Sequence, residues 1–435
     1  MKTYKIITYG CQMNKSDSER IAGVLETTGY KKAIDRQIPD ILVFNACSVR
    51  QSAIDRIYGQ ANLIRKLKTK NYKLKTIITG CVLPKDRQKF KKIFDLVFNI
   101  KNLKRLPVFL RYLEKGKQII VENSLKNENI SYFKIRPRQE NRFSARIPIS
   151  FGCGRFCSYC AVPYTRGLEI NRPAKDILKE AKAFVWAGAK EIWLLGQTVS
   201  SWKDPQNKNY EFTDLLQAIE KIPGEFWVRF ESSYVLDFDD KLINFLAKAK
   251  KVSNYVNLPL QSATNRVLKA MNRRYTLEQY LKVLEKMKER IPDFSFSTDI
   301  IVGFPGETEK QFRNTYNIFK RIKPTMAYIA KYSPRPGTMA EKLFKDRISP
   351  SQKQSRFTKL DKLLKQTAKE NMAREVGKTL KVLVEEWLFI KKECLGKTRN
   401  FKAIRFPSTE NLVGRFVRVT IVKAREFEIE GVMAN

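Results

Sequence analysis

The sequence predicts an α/β protein in three parts: an N-terminal parallel-sheet domain, a central partial (β/α) barrel and a small C-terminal β-barrel. Three observations predict it. Short β-branched runs alternate with amphipathic helical segments over most of the chain, the pattern of a parallel sheet with crossover helices. Three of the seven cysteines directly follow three of the first runs, which places them on one edge of the first sheet. From about Glu375 the texture changes to period-2 alternation without helical period.

The N-terminal part, residues 1–125, repeats one arrangement three times. YKIITYG leads into Cys11, and the helical segment after it has a Ser16-to-Glu19 spacing that predicts a capping box and a stop at Gly29. ILVFNA leads into Cys47, followed by Ile54, Ile57, Tyr58 and Ala61 at helical spacing. KTIITG leads into Cys81, with Pro84 marking the next helix start. In a parallel sheet the ligand site lies beyond the carboxyl ends of the strands, so these three thiols, far apart in the chain, are expected together. A cysteine at a strand end can also be a small buried apolar residue; three in register make that reading weaker.

The central part, residues 140–372, begins with RIPISF and the loop FGCGRFCSYC, which carries Cys153, Cys157 and Cys160 as C-x3-C-x2-C. Helical PAKDILKEAKAFVWAG and strand-like EIWLLG follow, then FWVRFES, YVNLPLQ, FSFSTDIIVGFPGE and TMAYIAKYSP, each separated by a helical segment. Such units build a (β/α) barrel with its site at the strand C-termini, where the cysteine loop falls. The segment 350–377 reads as a connecting helix.

Composition restricts the chemistry. The chain has no histidine, which removes the commonest general base, the commonest zinc ligand and every Cys–His or Ser–His couple. Two triads of thiols without a nearby fourth ligand suit iron–sulfur clusters better than structural zinc. A [4Fe–4S] cube held by three thiolates leaves one iron open to a small molecule. The formal charge is +40, with 84 Lys+Arg against 44 Asp+Glu, so a polyanion is the expected partner, RNA or DNA before acidic lipid. Without a signal-type apolar segment or 18 consecutive apolar residues, a cytosolic location and no membrane are expected.

The third part, residues 375–435, alternates Phe416, Arg418, Thr420 and Val422 against Val417, Val419 and Ile421, as expected of a small barrel. Basic and aromatic residues interleave at Lys397, Arg399, Phe401, Lys402, Arg405 and Phe406, a pattern expected to meet phosphates and stack bases, with an exposed charged strand face as the alternative for each residue. Cys394 is read as buried and not a ligand.

The cysteine loop, with an aromatic before its last cysteine, resembles the radical S-adenosylmethionine (SAM) signature. Together with YGCQMNKSDSE, NACSVRQSA, TGCV, CSYCAVPYTRG, LLGQTV, LPLQS, STDIIVGFPGET and YSPRPGT, in that order, the whole chain resembles the MiaB family of tRNA methylthiotransferases, with its terminal TRAM domain. The resemblance implies that Cys153, Cys157 and Cys160 hold a [4Fe–4S] cluster whose open iron is chelated by SAM. Reductive cleavage of SAM then gives a deoxyadenosyl radical that takes hydrogen from an adenine carbon. The resemblance also implies that Cys11, Cys47 and Cys81 hold an auxiliary [4Fe–4S] cluster that carries the sulfur, and that a second SAM methylates it.

No catalytic residue beyond the clusters is implied. Tyr159 is expected on the SAM adenine, with local core filling as the alternative. Gly196 and Gln197 are expected at SAM-binding backbone, and Gly303 at a close backbone approach or a turn. The implied substrate is N6-isopentenyladenosine beside the tRNA anticodon. Threonylcarbamoyl adenosine in tRNA and an aspartate of a ribosomal protein are the sister substrates, and a non-catalytic iron–sulfur sensor of nucleic acid is the alternative class. GCQMN, NACSVR and PYTRG resemble the isopentenyl branch more closely. A flavodoxin- or ferredoxin-like electron donor and a monomeric state are also expected. Four positions depart from the family pattern: Asn257 where histidine is usual, GQTV for GQNV, NACS for NTCS, and no acidic residue before Cys153.

Overall fold

In the computed structural model, residues 2–34, 37–47, 51–121 and 128–434 are described; Ser48, Val49 and Arg50 of the NACSVR motif lie outside them. The N-terminal domain comprises β1 (Thr3–Tyr9), α1 (Gln12–Thr27), β2 (Lys31–Lys32), β3 (Ile41–Cys47), α2 (Gln51–Gly59), α3 (Ala61–Lys70), β4 (Lys75–Cys81), α4 (Pro84–Phe90), β5 (Leu96–Val97), α5 (Leu106–Glu114), β6 (Ile119–Ile120) and α6 (Glu128–Phe133). Its strands pair in parallel in the order β2-β1-β3-β4-β5-β6. Ile21 and Leu25 of α1 and Phe109 of α5 cover one face of the sheet, against Val43 and Ile77. Ile54, Ile57 and Ile64 of α2 and α3 cover the other, against Phe44 and Ile78. Strand order reverses between β1 and β3, which opens a crevice at their carboxyl ends. Cys47 and Cys81 are register partners at the last rung of β3 and β4, and Cys11 sits at the N-terminus of α1, two residues past β1.

The helix after Cys11 does not begin at Ser16. α1 starts at Gln12, and the Asn14 side chain accepts the Cys11 N–H at 3.3 Å. Ser16, Asp17, Glu19 and Arg20 are buried because α1 lies against the central domain, where Glu19 pairs with Arg146 at 2.7 Å. A cap-like spacing thus marks an interdomain surface. Phe151, Trp193 and Leu195 of the central domain join the same apolar cluster as α1.

The central domain comprises β7 (Ser144–Pro148), β8 (Ser150–Phe151), α7 (Val162–Arg166), β9 (Ile170–Asn171), α8 (Ala174–Trp186), β10 (Glu191–Leu195), α9 (Phe212–Glu220), β11 (Trp227–Phe230), α10 (Asp240–Lys248), β12 (Tyr255–Asn257), α11 (Asn265–Ala270), α12 (Leu277–Arg290), β13 (Ser295–Val302), α13 (Glu309–Ile322), β14 (Met326–Lys331), α14 (Met339–Leu343) and α15 (Pro350–Ala373). β7-β10-β11 and β12-β13-β14 are two parallel three-stranded sheets. A parallel bridge from Val228 to Val252 links them into one open (β/α) array. The helices pack outside on Ile177, Leu216, Ile243, Leu284 and Phe319. The cysteine loop leaves β8, which pairs with β9.

β15 (Thr379–Leu388), β16 (Glu393–Thr398), β17 (Ala403–Pro407), β18 (Phe416–Ala424) and β19 (Glu428–Met433) close a barrel in the order β15-β16-β17-β19-β18. Val382, Val384, Ile404, Val419 and Ile421 fill it, together with the fully buried Cys394.

Arg399, Phe401 and Lys402 of the basic–aromatic set serve the packing of the barrel on the rest of the chain rather than an open face. The β16–β17 turn plugs the N-terminal end of the central array. Phe401 lies 4.8 Å from Tyr255 and 5.5 Å from Trp193, between the guanidinium of Arg229 and the ammonium of Lys397. Arg399 donates to the carbonyls of Val252 and Ala249, and Lys402 is buried in an ion pair with Glu375. Arg405 pairs with Glu393 and Glu428 on its own barrel, and Phe406 is core. Arg399 and Phe401, part of the sequence pattern of an RNA-facing edge, lie instead at the seam between two domains.

Candidate functional site

The loop from Gly152 to Cys160 is held by backbone before any side chain acts. Gly152 has φ +83°, and a Cβ there would meet the Leu168 carbonyl at 2.1 Å, so only glycine fits. The Cys153 N–H donates to the Gly167 carbonyl at 3.0 Å and the Ser158 N–H to the Met271 carbonyl at 3.0 Å. The Asn272 side chain donates to the Phe156 carbonyl at 2.8 Å. The loop is tied to α7 on one side and to the end of α11 on the other.

Donors surround its sulfurs. Cys153 Sγ accepts the Arg155 N–H at 3.5 Å and lies 3.6 Å from Thr198 Oγ1; Cys160 Sγ accepts the Val162 N–H at 3.5 Å. Cys157 Sγ accepts Arg273 Nη1 at 3.3 Å. Arg273 is itself clamped, donating to the Tyr275 hydroxyl and stacked near the rings of Tyr234 and Tyr275. Arg155 Nη2 donates to both carboxylate oxygens of Asp237, at 2.7 and 2.9 Å.

The first triad has its own donor from the other domain. Arg166, at the end of α7, places Nε 2.9 Å from Cys81 Sγ and pairs with Asp17, both charges being fully buried. Tyr132 donates to the same carboxylate at 2.6 Å. Burial raises the thiol pKa of Cys81, Cys153 and Cys160. A cysteine in such surroundings keeps its proton until a metal replaces it, and cationic or N–H donors then stabilise the thiolate. Among the described residues no three His, Cys, Asp or Glu side chains converge tightly enough for a single bound ion. The fit to a larger sulfur-ligated group rests on donor chemistry, and both triads have it.

The remaining sequence candidates are spread around the Cys153 loop. Gly196 and Gln197 follow β10 beside Thr198, and a Cβ on Gly196 would meet Ser150 Oγ at 2.3 Å. Tyr159 leans on the cluster of Val267, Met271, Phe304 and Tyr332. Gly303 is accounted for by the chain itself. It has φ +71°, its N–H donates to Glu307 at 2.7 Å, and a Cβ would meet Lys353 at 2.5 Å, which favours the turn over a cofactor approach. Asn257, in the place of the usual histidine, donates to Ser297 at 3.0 Å and Asp299 at 3.1 Å inside the array.

Sequence reasoning gave no role to Arg166, Arg273 or Glu231. Arg166 stands within the quoted PYTRG motif, and its partners lie more than eighty positions away. Glu231, just past β11, has its carboxyl pKa raised by burial. Cavities of about 560 Å³ on the C-terminal barrel and 460 Å³ between α13 and α15 are lined without cysteine.

Comparison with known proteins finds three family matches along the chain. Residues 3–100 match an uncharacterized protein family, UPF0004, residues 147–319 the radical SAM superfamily, and residues 373–434 the TRAM domain. A tRNA-2-methylthio-N(6)-dimethylallyladenosine synthase of Desulforamulus reducens is 38% identical, covering 99% of this chain and 95% of its own. Enzymes of the same name from Alkaliphilus oremlandii and Dictyoglomus thermophilum are each 38% identical over 99% of this chain, and over 92% and 98% of theirs. Among solved structures, the radical SAM methyltransferase TsrM of Kitasatospora setae has a TM-score of 0.56 at 13% identity, covering 78% of this chain and 75% of its own. The cobalamin-dependent SAM radical enzyme OxsB has a TM-score of 0.52 at 14% identity, over 79% and 55%. At such identities the likeness speaks for the fold alone.

Proposed function

The chain belongs to the family of the tRNA-2-methylthio-N(6)-dimethylallyladenosine synthases, and from that membership we propose that it adds a methylthio group to the adenine ring of N6-dimethylallyl (isopentenyl) adenosine beside the tRNA anticodon. Cys153, Cys157 and Cys160 would hold the [4Fe–4S] cluster that takes SAM, and Cys11, Cys47 and Cys81 a second [4Fe–4S] cluster. Bound there, SAM and the two clusters supply the radical that opens an aromatic C–H bond, the sulfur that replaces the hydrogen and the methyl group that caps it, chemistry that no side chain provides.

The protein's own part is position and electrostatics. Arg273 and the Arg155 and Val162 N–H groups stabilise the thiolates of the second triad, and Arg166 stabilises Cys81. Gly196, Gln197 and Tyr159 would border SAM. Gly303 would help only indirectly, by holding the turn after β13. Burial around Asp17, Arg166 and Tyr132 keeps water from the Cys81 side. The net charge of +40 draws tRNA, and the docked TRAM barrel holds a fixed place relative to the array.

The observation that carries the reading is a strap of three residues that bonds to Cys153 and to the N-terminal domain. Residues 165–167 of the central domain bond to Cys153 on one side and to Asn99 and Cys81 of the N-terminal domain on the other. No helix among the described residues is long and apolar enough to cross a membrane. A cytosolic monomer served by a flavodoxin- or ferredoxin-like electron donor completes the proposal.

Reconstituted protein with SAM, a low-potential reductant and dimethylallyl-bearing tRNA should yield both deoxyadenosine and the 2-methylthio nucleoside. Deoxyadenosine without that nucleoside would exclude this substrate and point to threonylcarbamoyl adenosine or a ribosomal aspartate. Neither product would leave an iron–sulfur sensor.

A further inference from the structure

Three consecutive residues fasten the two triads to each other. The Thr165 carbonyl accepts Asn99 Nδ2 of the N-terminal domain at 2.8 Å. The Gly167 carbonyl accepts the Cys153 N–H at 3.0 Å. Between them, Arg166 crosses into the N-terminal domain and donates from Nε to Cys81 Sγ at 2.9 Å.

The guanidinium is held on every side. Its Nη atoms bond Asp17, whose other partner is the Tyr132 hydroxyl, and its plane lies 5.0 Å from the Phe151 ring, one residue before Gly152. Arg166 is 1% exposed and Asp17 0%. A buried ion pair is not needed to hold two domains together, since apolar residues of similar volume do so equally well. The odd feature is the third bond, spent on a sulfur. A charge-assisted donor on a ligating sulfur withdraws electron density from it, and hydrogen bonds to sulfur are among the main determinants of cluster potential.

Resting on the assignment of Cys11, Cys47 and Cys81 as cluster ligands, we propose that Arg166 is a positioning residue that fixes the Cys81 corner of the auxiliary cluster against the radical SAM loop and raises that cluster's reduction potential. The Asp17 carboxylate aims the fork so that Nε, and not a terminal nitrogen, meets the sulfur. Lysine at this position would keep the charge and lose the planar fork.

The test uses the full chain with Cys153, Cys157 and Cys160 changed to Ala, so that only the auxiliary cluster is reconstituted. Midpoint potential is followed by EPR during redox titration, and iron loss by a chelator assay. Arg166→Gln should shift the midpoint to more negative potential and speed iron loss by about 10–100-fold, the usual cost of removing a partner that orients a metal ligand. Arg166→Lys should fall between the two. Asp17→Asn/Arg166→Gln leaves no unpaired buried charge, so it should recover thermal stability while keeping the negative shift. An unchanged midpoint in folded Arg166→Gln would overturn the proposal. So would a double variant whose potential returns together with its stability, because Arg166 would then serve folding alone. Absence of any cluster in the parent of this series would overturn the ligand assignment itself, and the proposal with it.

Discussion

Replacing Arg229 by Met should loosen the C-terminal barrel from the central array, and the loss should depend on pH in a definite direction. Arg229 is 1% exposed and pairs with Glu191, 3% exposed, at 2.5 Å. The same guanidinium donates to the carbonyls of Thr398 and Arg399 in the docked turn, at 2.9 and 3.1 Å. Removing one partner of a buried pair costs about 3–5 kcal/mol, because the other charge stays behind. For a cooperative unit of this size that is about 6–20 °C in melting temperature.

Burial alone would raise the Glu191 pKa, but Arg229, Trp193 and Ser144 outweigh it and hold the carboxyl below its ordinary range. In the parent, Glu191 therefore contributes stability that is present above its unfolded pKa and lost as pH falls through the folded one. In Arg229→Met the carboxylate loses its cation, its pKa rises, and acidification relieves the penalty. The gap between parent and variant should be widest near neutral pH and narrow towards about pH 5. Scanning calorimetry of the cluster-free chain at the two pH values measures it, and Glu191→Gln/Arg229→Met should recover most of the loss. A deficit below about 1 kcal/mol, the size of an exposed pair, or a gap that widens on acidification would refute the reasoning.

Other substitutions separate the two sites and the fold. Cys47→Ser should abolish methylthio transfer yet still release deoxyadenosine from SAM, which chromatography of the reaction products resolves. Gly303→Ala forces a methyl into Lys353 at a φ of +71°, so it should cost about 1–3 kcal/mol, read as a lower melting temperature. Cys394→Ala should leave iron content unchanged in a colorimetric assay and lower stability by only about 1 kcal/mol, since Cys394 is one small residue of the barrel core.

Much of this architecture is legible in the sequence because it rests on local periodicity. The runs ending at Cys11, Cys47 and Cys81 are β-branched and bounded by turns, and their alternation with helices requires parallel pairing; the structure puts Cys47 and Cys81 on one rung. The starts of α12 and α13 are marked by capping boxes at Thr276 and Thr308, each contained in one sequence window. What was not legible depends on which surface meets which. Ser16 and Glu19 have the spacing of a cap and are buried at a domain seam. Lys397 to Phe406 have the composition of an RNA-facing edge, yet Phe401 and Arg399 serve the dock, because a polar carbonyl-rich barrel end and a phosphate select the same residue types. Arg166 was visible only as part of a motif. Its role comes from a contact with a sulfur that the linear chain places in another domain.

The account's central claim is tested most directly by mass spectrometry of nucleosides from total tRNA, in cells with and without this gene. The account predicts that deletion removes 2-methylthio-N6-dimethylallyladenosine and accumulates the unthiolated nucleoside, and that the full chain restores the product where the Cys153→Ala/Cys157→Ala/Cys160→Ala variant does not. A nucleoside profile unchanged by deletion would contradict it.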